Sequence, residues 1–212
     1  MSNSKSVVLS CAGIGSRLGL ATTKALININ GRSLISWQLE MLKDVEDIRI
    51  VVGFQANEVI NEVLKYRKDV IFVYNHSYFE TKTGTSFYLG ARHANEYVIE
   101  LDGDLLVHPH DMKKMLDLDG EFIAYADVMS DDAVFLRLNE EGAVISFSRE
   151  RGDFEWTGPA CIKKSKLKYT SGHVFNQLEP WLPIKGIKIR ACDIDTYDDY
   201  ERALKFIQSW EY

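Results

Sequence analysis

The chain has 212 residues, 46% hydrophobic and 26% charged, a balance that supports one folded core and excludes a disordered or fibrous protein. Its formal net charge of −6 argues against nucleic acid as a partner, because phosphate-backbone binding relies on clustered Lys and Arg. The cysteines Cys11, Cys161 and Cys192 form no C-x-x-C pair and suggest neither a disulfide framework nor a zinc site.

The apolar opening Val7–Leu9 is too short to span a bilayer, so a cytoplasmic protein with no membrane partner is expected. Ser6–Cys11 reads as a buried strand, and Ser33–Lys43 as a helix with Leu34, Trp37, Leu39, Met41 and Leu42 available for its inner side. Ile48–Val52 is the next strand and Ala56–Tyr66 the next helix. A strand at Val70–Tyr74, a helix over Thr85–His93 and a strand at Tyr97–Leu101 follow. This alternation predicts a three-layer α/β/α sandwich around a mostly parallel, Rossmann-like sheet whose ligands gather at the carboxyl ends of its strands.

Past Pro109 the pattern changes. Phe122–Ala126, Val134–Leu138, Val144–Phe147 and Thr157–Lys163 are short strands joined by polar turns, a small antiparallel extension. A helical stretch around Ser165–Leu178, a strand at Ile187–Cys192 and a helix from Thr196 to Trp210 close the chain.

The most informative stretch follows the first strand: Ala12-Gly13-Ile14-Gly15-Ser16-Arg17-Leu18-Gly19, then Thr23-Lys24-Ala25. Glycines let backbone N–H groups turn toward an anion, and Arg17 and Lys24 add positive charge where a triphosphate would lie. A dinucleotide fingerprint fails, because Leu18 stands where its third glycine belongs, and the P-loop pattern is absent. A plain Gly-rich turn with two solvated cations is the competing reading.

Gly13-x-Gly15-x-Arg17 with Lys24-Ala25-Leu26 resembles the signature of the sugar-nucleotidyltransferase superfamily, and Ile50–Gly53, Gly84–Ser86, Asp102–Asp104 and Asp193–Thr196 recur in the expected order. The compact length and the DGD and DIDT spellings are most similar to bacterial CTP:phosphocholine-type cytidylyltransferases. One departure is Thr23, where the family usually has Pro. The resemblance implies a nucleotide-diphospho-sugar transferase type of fold, one domain over residues 1–212 with a nucleotide-binding half near 1–108 and an acceptor half near 109–212. It also implies a role in making cell-surface polysaccharide precursors.

Nucleotidyl transfer needs positive charge around an α-phosphorus already ringed by negative oxygens. Mg²⁺ fits, since it takes one or two protein carboxylates plus phosphate oxygens and waters. By resemblance, Asp104 and Asp195 hold the metal, while Asp102 and Asp193 support them or contact the ribose. Ala12, Gly13, Gly15 and Ser16 then meet the nucleotide from one side, and Gly84, Thr85 and Ser86 from the other. Turn and helix-cap roles are the alternative for these aspartates and hydroxyls.

No histidine sits in a hydrolase-like arrangement, and a phosphate acceptor, largely a dianion at neutral pH, can attack without a base. Trp156 offers an aromatic wall for the acceptor, and Arg149 and Arg190 suit a carboxylate or phosphate, with Asp193 beside them. Core packing and a solvated rim are the competing roles for these residues. Ala191-Cys192 stand where phosphocholine enzymes commonly carry an aromatic pair, which turns attention to phospho-amino acids such as phosphoglutamine, or to phosphonates.

The expected function is Mg²⁺-dependent transfer of CMP from CTP to a small phosphorylated acceptor. A sugar-1-phosphate nucleotidyltransferase and a non-catalytic nucleotide-binding module are the alternatives. A homo-oligomer is compatible with the sequence.

Overall fold

The computed structural model describes residues 5–15, 22–129 and 133–210. Its strands are β1 Lys5–Cys11, β2 Asn28–Ile29, β3 Arg32–Ser33, β4 Asp47–Val52, β5 Ile71–Tyr74, β6 Tyr97–Asp102 and β7 Leu105–Val107. They continue as β8 Phe122–Ala126, β9 Phe135–Leu138, β10 Ala143–Ser148, β11 Phe154–Lys163, β12 Ile184–Lys188 and β13 Ala191–Asp193. The helices are α1 Leu34–Met41, α2 Ala56–Tyr66, α3 Thr83–Ala91, α4 Pro109–Asp117, α5 Val174–Leu178 and α6 Tyr197–Gln208.

A nine-stranded sheet runs in the order β5-β4-β1-β6-β11-β8-β12-β10-β9. Its first four strands are parallel, as the β-α alternation predicts. The remainder is mixed: β11 is antiparallel to β6 and to β8, β12 is parallel to β8, and β10 is antiparallel to β12 and to β9. The antiparallel extension is thus continuous with the parallel half, and the sheet is mixed where a mostly parallel one was expected. Hairpin connections such as the Asn139–Gly142 turn between β9 and β10 force antiparallel neighbours, whereas only a crossover helix delivers parallel ones.

Strand alternation sends successive side chains of β1 to opposite faces. Val7 and Leu9 join Ile35 and Leu39 of α1, Val59 and Val63 of α2, and Met112 and Met115 of α4 in one core. Val8 packs on the other face with Phe87 and Ala91 of α3 and Val174 and Leu178 of α5. A third cluster sets Trp37 edge-on to Trp210 at 5.6 Å and packs Ala203 and Ile207 of α6 beside Ile29 and Leu34. That cluster brings the C-terminal helix back to the first one.

Two further expectations differ from the structure. The stretch around Ser165–Leu178 is a 3-10 turn at Lys164–Lys166 and the five-residue α5, separated by a loop over residues 167–173. Lys168 N–H bonds to Gln177 Oε1 and Gly172 N–H to Thr170 Oγ1, so side chains take backbone partners that a helix would need.

The strand expected at Ile187–Cys192 is broken at Arg190. There Asp111 Oδ2 accepts from Arg190 N and Nε at 2.9 and 2.8 Å, and the chain leaves the large sheet to pair with β7. Helix α4 was not anticipated. Proline at its first turn and the i, i+3 pair Met112 and Met115 are its signals, but it buries few other side chains.

Candidate active site

The site lies where the parallel strands end. β1 runs out at Cys11 into the glycine turn, and β6 runs out at Asp102 beside it. Gly103 N–H bonds to Ser10 O at 3.0 Å, tying the two strand ends together. Gln38 of α1, 1% exposed, donates through Nε2 to the carbonyls of Asp102 and Leu105 at 2.8 and 2.9 Å, which locks the turn carrying Asp104. Gly15 holds φ +66, a left-handed conformation that glycine adopts without strain. A Cβ there would stand 3.0 Å from Lys24 Cγ, so the turn lies against the lysine stem.

Asp195 reaches the same place from the far end of the chain. β13 pairs with β7 so that Asp193 faces Leu105, and Ile194 N–H bonds to Asp104 O at 3.2 Å. Asp199 Oδ2 accepts from Thr196 N at 2.7 Å and from Thr196 Oγ1 at 2.8 Å, a capping box at the start of α6. The cap therefore uses Thr196 and Asp199, and leaves the Asp195 carboxylate to the site.

Lys24 joins the two halves. Its ammonium stands 2.6 Å from Asp104 Oδ2 and also contacts Asp195 Oδ1, and the three side chains are 12%, 26% and 20% exposed. Burial lowers the lysine pKa, but the charges and hydrogen bonds of Asp104 and Asp195 outweigh it and raise the value above the ordinary one.

Excess negative charge shows in the neighbouring acids. Asp102 is pushed up to about 7, by burial first and then by Asp104, with Lys24 opposing. Asp193 is pushed up to about 8 by desolvation, then by Asp104 and Asp195. Asp193 keeps an exposed surface, which tempers the first of those causes. Glu100, wholly buried two residues before Asp102, is raised well above the usual carboxylate range by burial and then by Asp102.

Two carboxylates from distant segments thus converge on one cation position, here filled by the Lys24 ammonium. Hard oxygen donors in that number suit Mg²⁺, which completes its shell with ligand phosphates and waters. Among the described residues, no group of three or more His, Cys, Asp or Glu is arranged to hold a metal by itself.

A cleft of about 340 Å³ opens above these groups. It is lined by Ala12, Gly13, Gly15, Lys24, Asp102 and Asp104 together with Asn75, Tyr78, Phe79, Lys82, Ser86 and His173. Of the expected nucleotide contacts, Ala12, Gly13, Gly15, Ser86 and Asp102 line it, while Ser16 and Arg17 fall outside the described residues. Gly84 and Thr85 are turned inward: Gly84 N–H bonds to Gly172 O at 3.0 Å, and Thr85 Oγ1 donates to Thr170 O.

The acceptor candidates separate. Trp156 packs edge-on to Phe147 and Phe175 at 5.7 and 6.1 Å, and the Arg149 guanidinium lies 5.4 Å from the Phe175 ring. Phe175 stacks on His173 at 5.6 Å, so this aromatic group abuts the cleft wall. Arg190 lies elsewhere, paired with Asp111 at 2.8 Å in a different depression that Cys192 and Arg202 also line.

Sequence reasoning missed Gln38, Asn75 and His173. Asn75 follows β5 at its carboxyl end, where the open-sheet rule points, whereas nothing local marks Gln38 or His173.

Residues 7–148 match the family model described as MobA-like NTP transferase domain, a span that includes the glycine turn and Asp104 but not Asp195. The chain is 36% identical over 107 residues to choline-phosphate cytidylyltransferase of Streptococcus pneumoniae, covering 48% of this chain and 45% of that one. It is 26% identical over 151 residues to the bifunctional protein GlmU of Sulfurimonas denitrificans, covering 66% of this chain and 35% of that one. It therefore spans less than half the length of these curated relatives.

Among solved structures, CTP:phosphocholine cytidylyltransferase from Streptococcus pneumoniae superposes with a TM-score of 0.78 at 22% identity, over 96% of this chain and 99% of the other. The inositol-1-phosphate CTP transferase from T. maritima gives 0.81 at 18% identity, over 100% and 99%. At these identities the structural likeness is one of fold. With the match to its domain model spanning most of the sequence, the chain belongs to the MobA-like NTP transferase family.

Proposed function

We propose that the chain transfers CMP from CTP to a small phosphorylated acceptor and releases pyrophosphate. The observation that carries this reading is the convergence of Asp104 and Asp195 on Lys24 at the foot of the glycine turn. The cytidylyl donor is supported by the likeness to choline-phosphate cytidylyltransferase.

In this reading Asp104 and Asp195 hold Mg²⁺, with Asp102 and Asp193 supporting them. When bound, the ion supplies positive charge to the phosphate oxygens around the reacting phosphorus. Lys24 then moves off the two carboxylates onto the triphosphate, so that its charge follows the anion. Backbone groups of Ala12, Gly13 and Gly15 line one wall and Ser86 the other, and Arg17 adds a second cation. The acceptor half, near 109–212, presents Trp156 and Arg149 toward a phospho-amino acid, phosphonate or phosphocholine. The acceptor phosphate attacks in line, and its own dianion makes a general base unnecessary. A cytoplasmic site of action fits these substrates, and among the described residues no helix is long and apolar enough to cross a membrane.

The test is pyrophosphate release from each of the four ribonucleoside triphosphates, with phosphocholine, phospho-amino acids, aminoalkyl phosphonates and sugar 1-phosphates as acceptors. Release with CTP and a non-sugar acceptor is expected. Preference for a sugar 1-phosphate transfers the chain to the alternative of a sugar-1-phosphate nucleotidyltransferase. Absence of release with every pair rejects the catalytic reading.

A further inference from the structure

Gln55 is the N-cap of α2, yet its side chain makes no cap hydrogen bond there. Its backbone is left-handed, at φ 50 and ψ 42, a conformation that non-glycine residues occupy sparsely and that the surrounding fold must enforce. What that conformation achieves is a reach across to the segment before Lys24. Gln55 Oε1 accepts from Thr23 N–H at 2.8 Å and from the Thr22 hydroxyl at 3.2 Å. One residue earlier, Phe54 N–H bonds to Ala12 O at 3.1 Å. The loop after β4 therefore grips the chain at both ends of the glycine turn.

Thr23 makes the grip necessary. It is 2% exposed, so its N–H has no access to bulk water and needs a protein acceptor. Its φ of −64 and ψ of 141 are those a proline would adopt, but threonine neither fixes that φ nor removes the donor. Immediately afterwards Lys24–Leu26 form a 3-10 turn, closed by Leu26 N–H to Thr23 O at 3.0 Å. The direction in which Lys24 leaves the backbone thus depends on the placement of Thr23.

We infer that Gln55 is a positioning residue for Lys24: its side-chain amide takes up the Thr23 N–H and holds the lysine turn in the geometry that a proline would otherwise impose. This inference rests on the proposed role of Lys24 in binding the triphosphate. It predicts a specific rescue. Q55M keeps the length and bulk of the side chain but leaves the Thr23 N–H without an acceptor, whereas T23P removes the donor and fixes φ.

The experiment measures magnesium–CTP affinity by calorimetry, and amide exchange over Thr22–Ile27, in wild type, Q55M, Q55E, T23P/Q55M and K24A. Q55M is expected to weaken CTP binding roughly 10-fold and to speed exchange, since small displacements of a binding group carry penalties of that order. Q55E keeps an acceptor oxygen and T23P/Q55M needs none, so both are expected within about threefold of wild type. Wild-type affinity in Q55M, or a double variant no better than Q55M, overturns the inference. If Q55M does not fold, the other two Gln55 variants decide: folding and binding by both support it, and failure of both overturns it. Unchanged CTP affinity in K24A rejects the underlying reading of Lys24, whatever the Gln55 variants do.

Discussion

Replacing Lys24 by Met removes the ammonium and keeps most of the aliphatic stem. The folded chain then loses the counter-charge that stands 2.6 Å from Asp104 and contacts Asp195, among side chains 12%, 26% and 20% exposed. That exposure lies between an open surface pair, worth about 0–1 kcal/mol, and a buried pair, whose breakage costs about 3–5 kcal/mol. A loss of about 2 kcal/mol is expected, which for a chain of this length lowers Tm by roughly 4–8 °C.

The loss depends on pH. Asp102 and Asp193, at about 7 and about 8, stand above their ordinary value even with Lys24 pulling them down. A carboxyl with a raised folded pKa stabilises the fold fully below its unfolded value and loses that contribution as pH rises through the folded one. Wild type should therefore weaken from about pH 4 to about pH 8, and the Lys24→Met chain should go on weakening above that.

The difference between the two chains is thus smaller at pH 5.5 than at pH 8.5. Thermal denaturation at both values reads it, and added magnesium should restore part of the deficit at the higher pH, because it binds only the native chain. Pyrophosphate release should fall at least about 100-fold, a loss typical of removing a charge that stabilises the transition state. Equal Tm values at pH 8.5 together with undiminished release would refute the reasoning.

Two further substitutions probe the surroundings. Gly158 has φ +105, and a Cβ there would lie 2.7 Å from Asp102 Oδ2. Gly158→Ala should therefore cost about 1–3 kcal/mol and displace Asp102, seen as lower Tm and lower kcat; a variant with both values unchanged removes Asp102 from the site. Arg190, 57% exposed in its pair with Asp111, should tolerate replacement by Ala with a change within about 1 kcal/mol and turnover within about twofold. A tenfold rise in acceptor KM would return Arg190 to the acceptor pocket.

Much of the architecture was legible in the chain because its signals are local. Alternating apolar strands and amphipathic helices announced β1, β4, β5 and β6, whereas the two-residue strands β2 and β3 carry no such pattern. The glycine turn and the two aspartate segments were also visible as motifs. Less visible was the mixed half of the sheet, where short strands of similar composition permit several neighbour orders. The break at Arg190 was hidden too, since it depends on Asp111, a residue remote in sequence. Among the candidate residues, Thr85 and Arg190 were read by type. Their partners, Thr170 O and Asp111, decide that one faces inward and the other away from the cleft.

Residue type and spacing by themselves determined that this is an α/β chain with an anion-ready turn after its first strand and carboxylates at later strand ends, since these follow from periodicity and side-chain chemistry within a few neighbours. Only the tertiary structure decided that Asp104 and Asp195 face one cation position, that Thr196 rather than Asp195 caps the last helix, and that Gln55 holds the lysine turn. Those are contacts between segments far apart along the chain. Their geometry comes from how the β7–β13 pair and the Trp37–Trp210 cluster fold the C-terminus back onto β7 and the first helix, a matter of packing that no local pattern encodes.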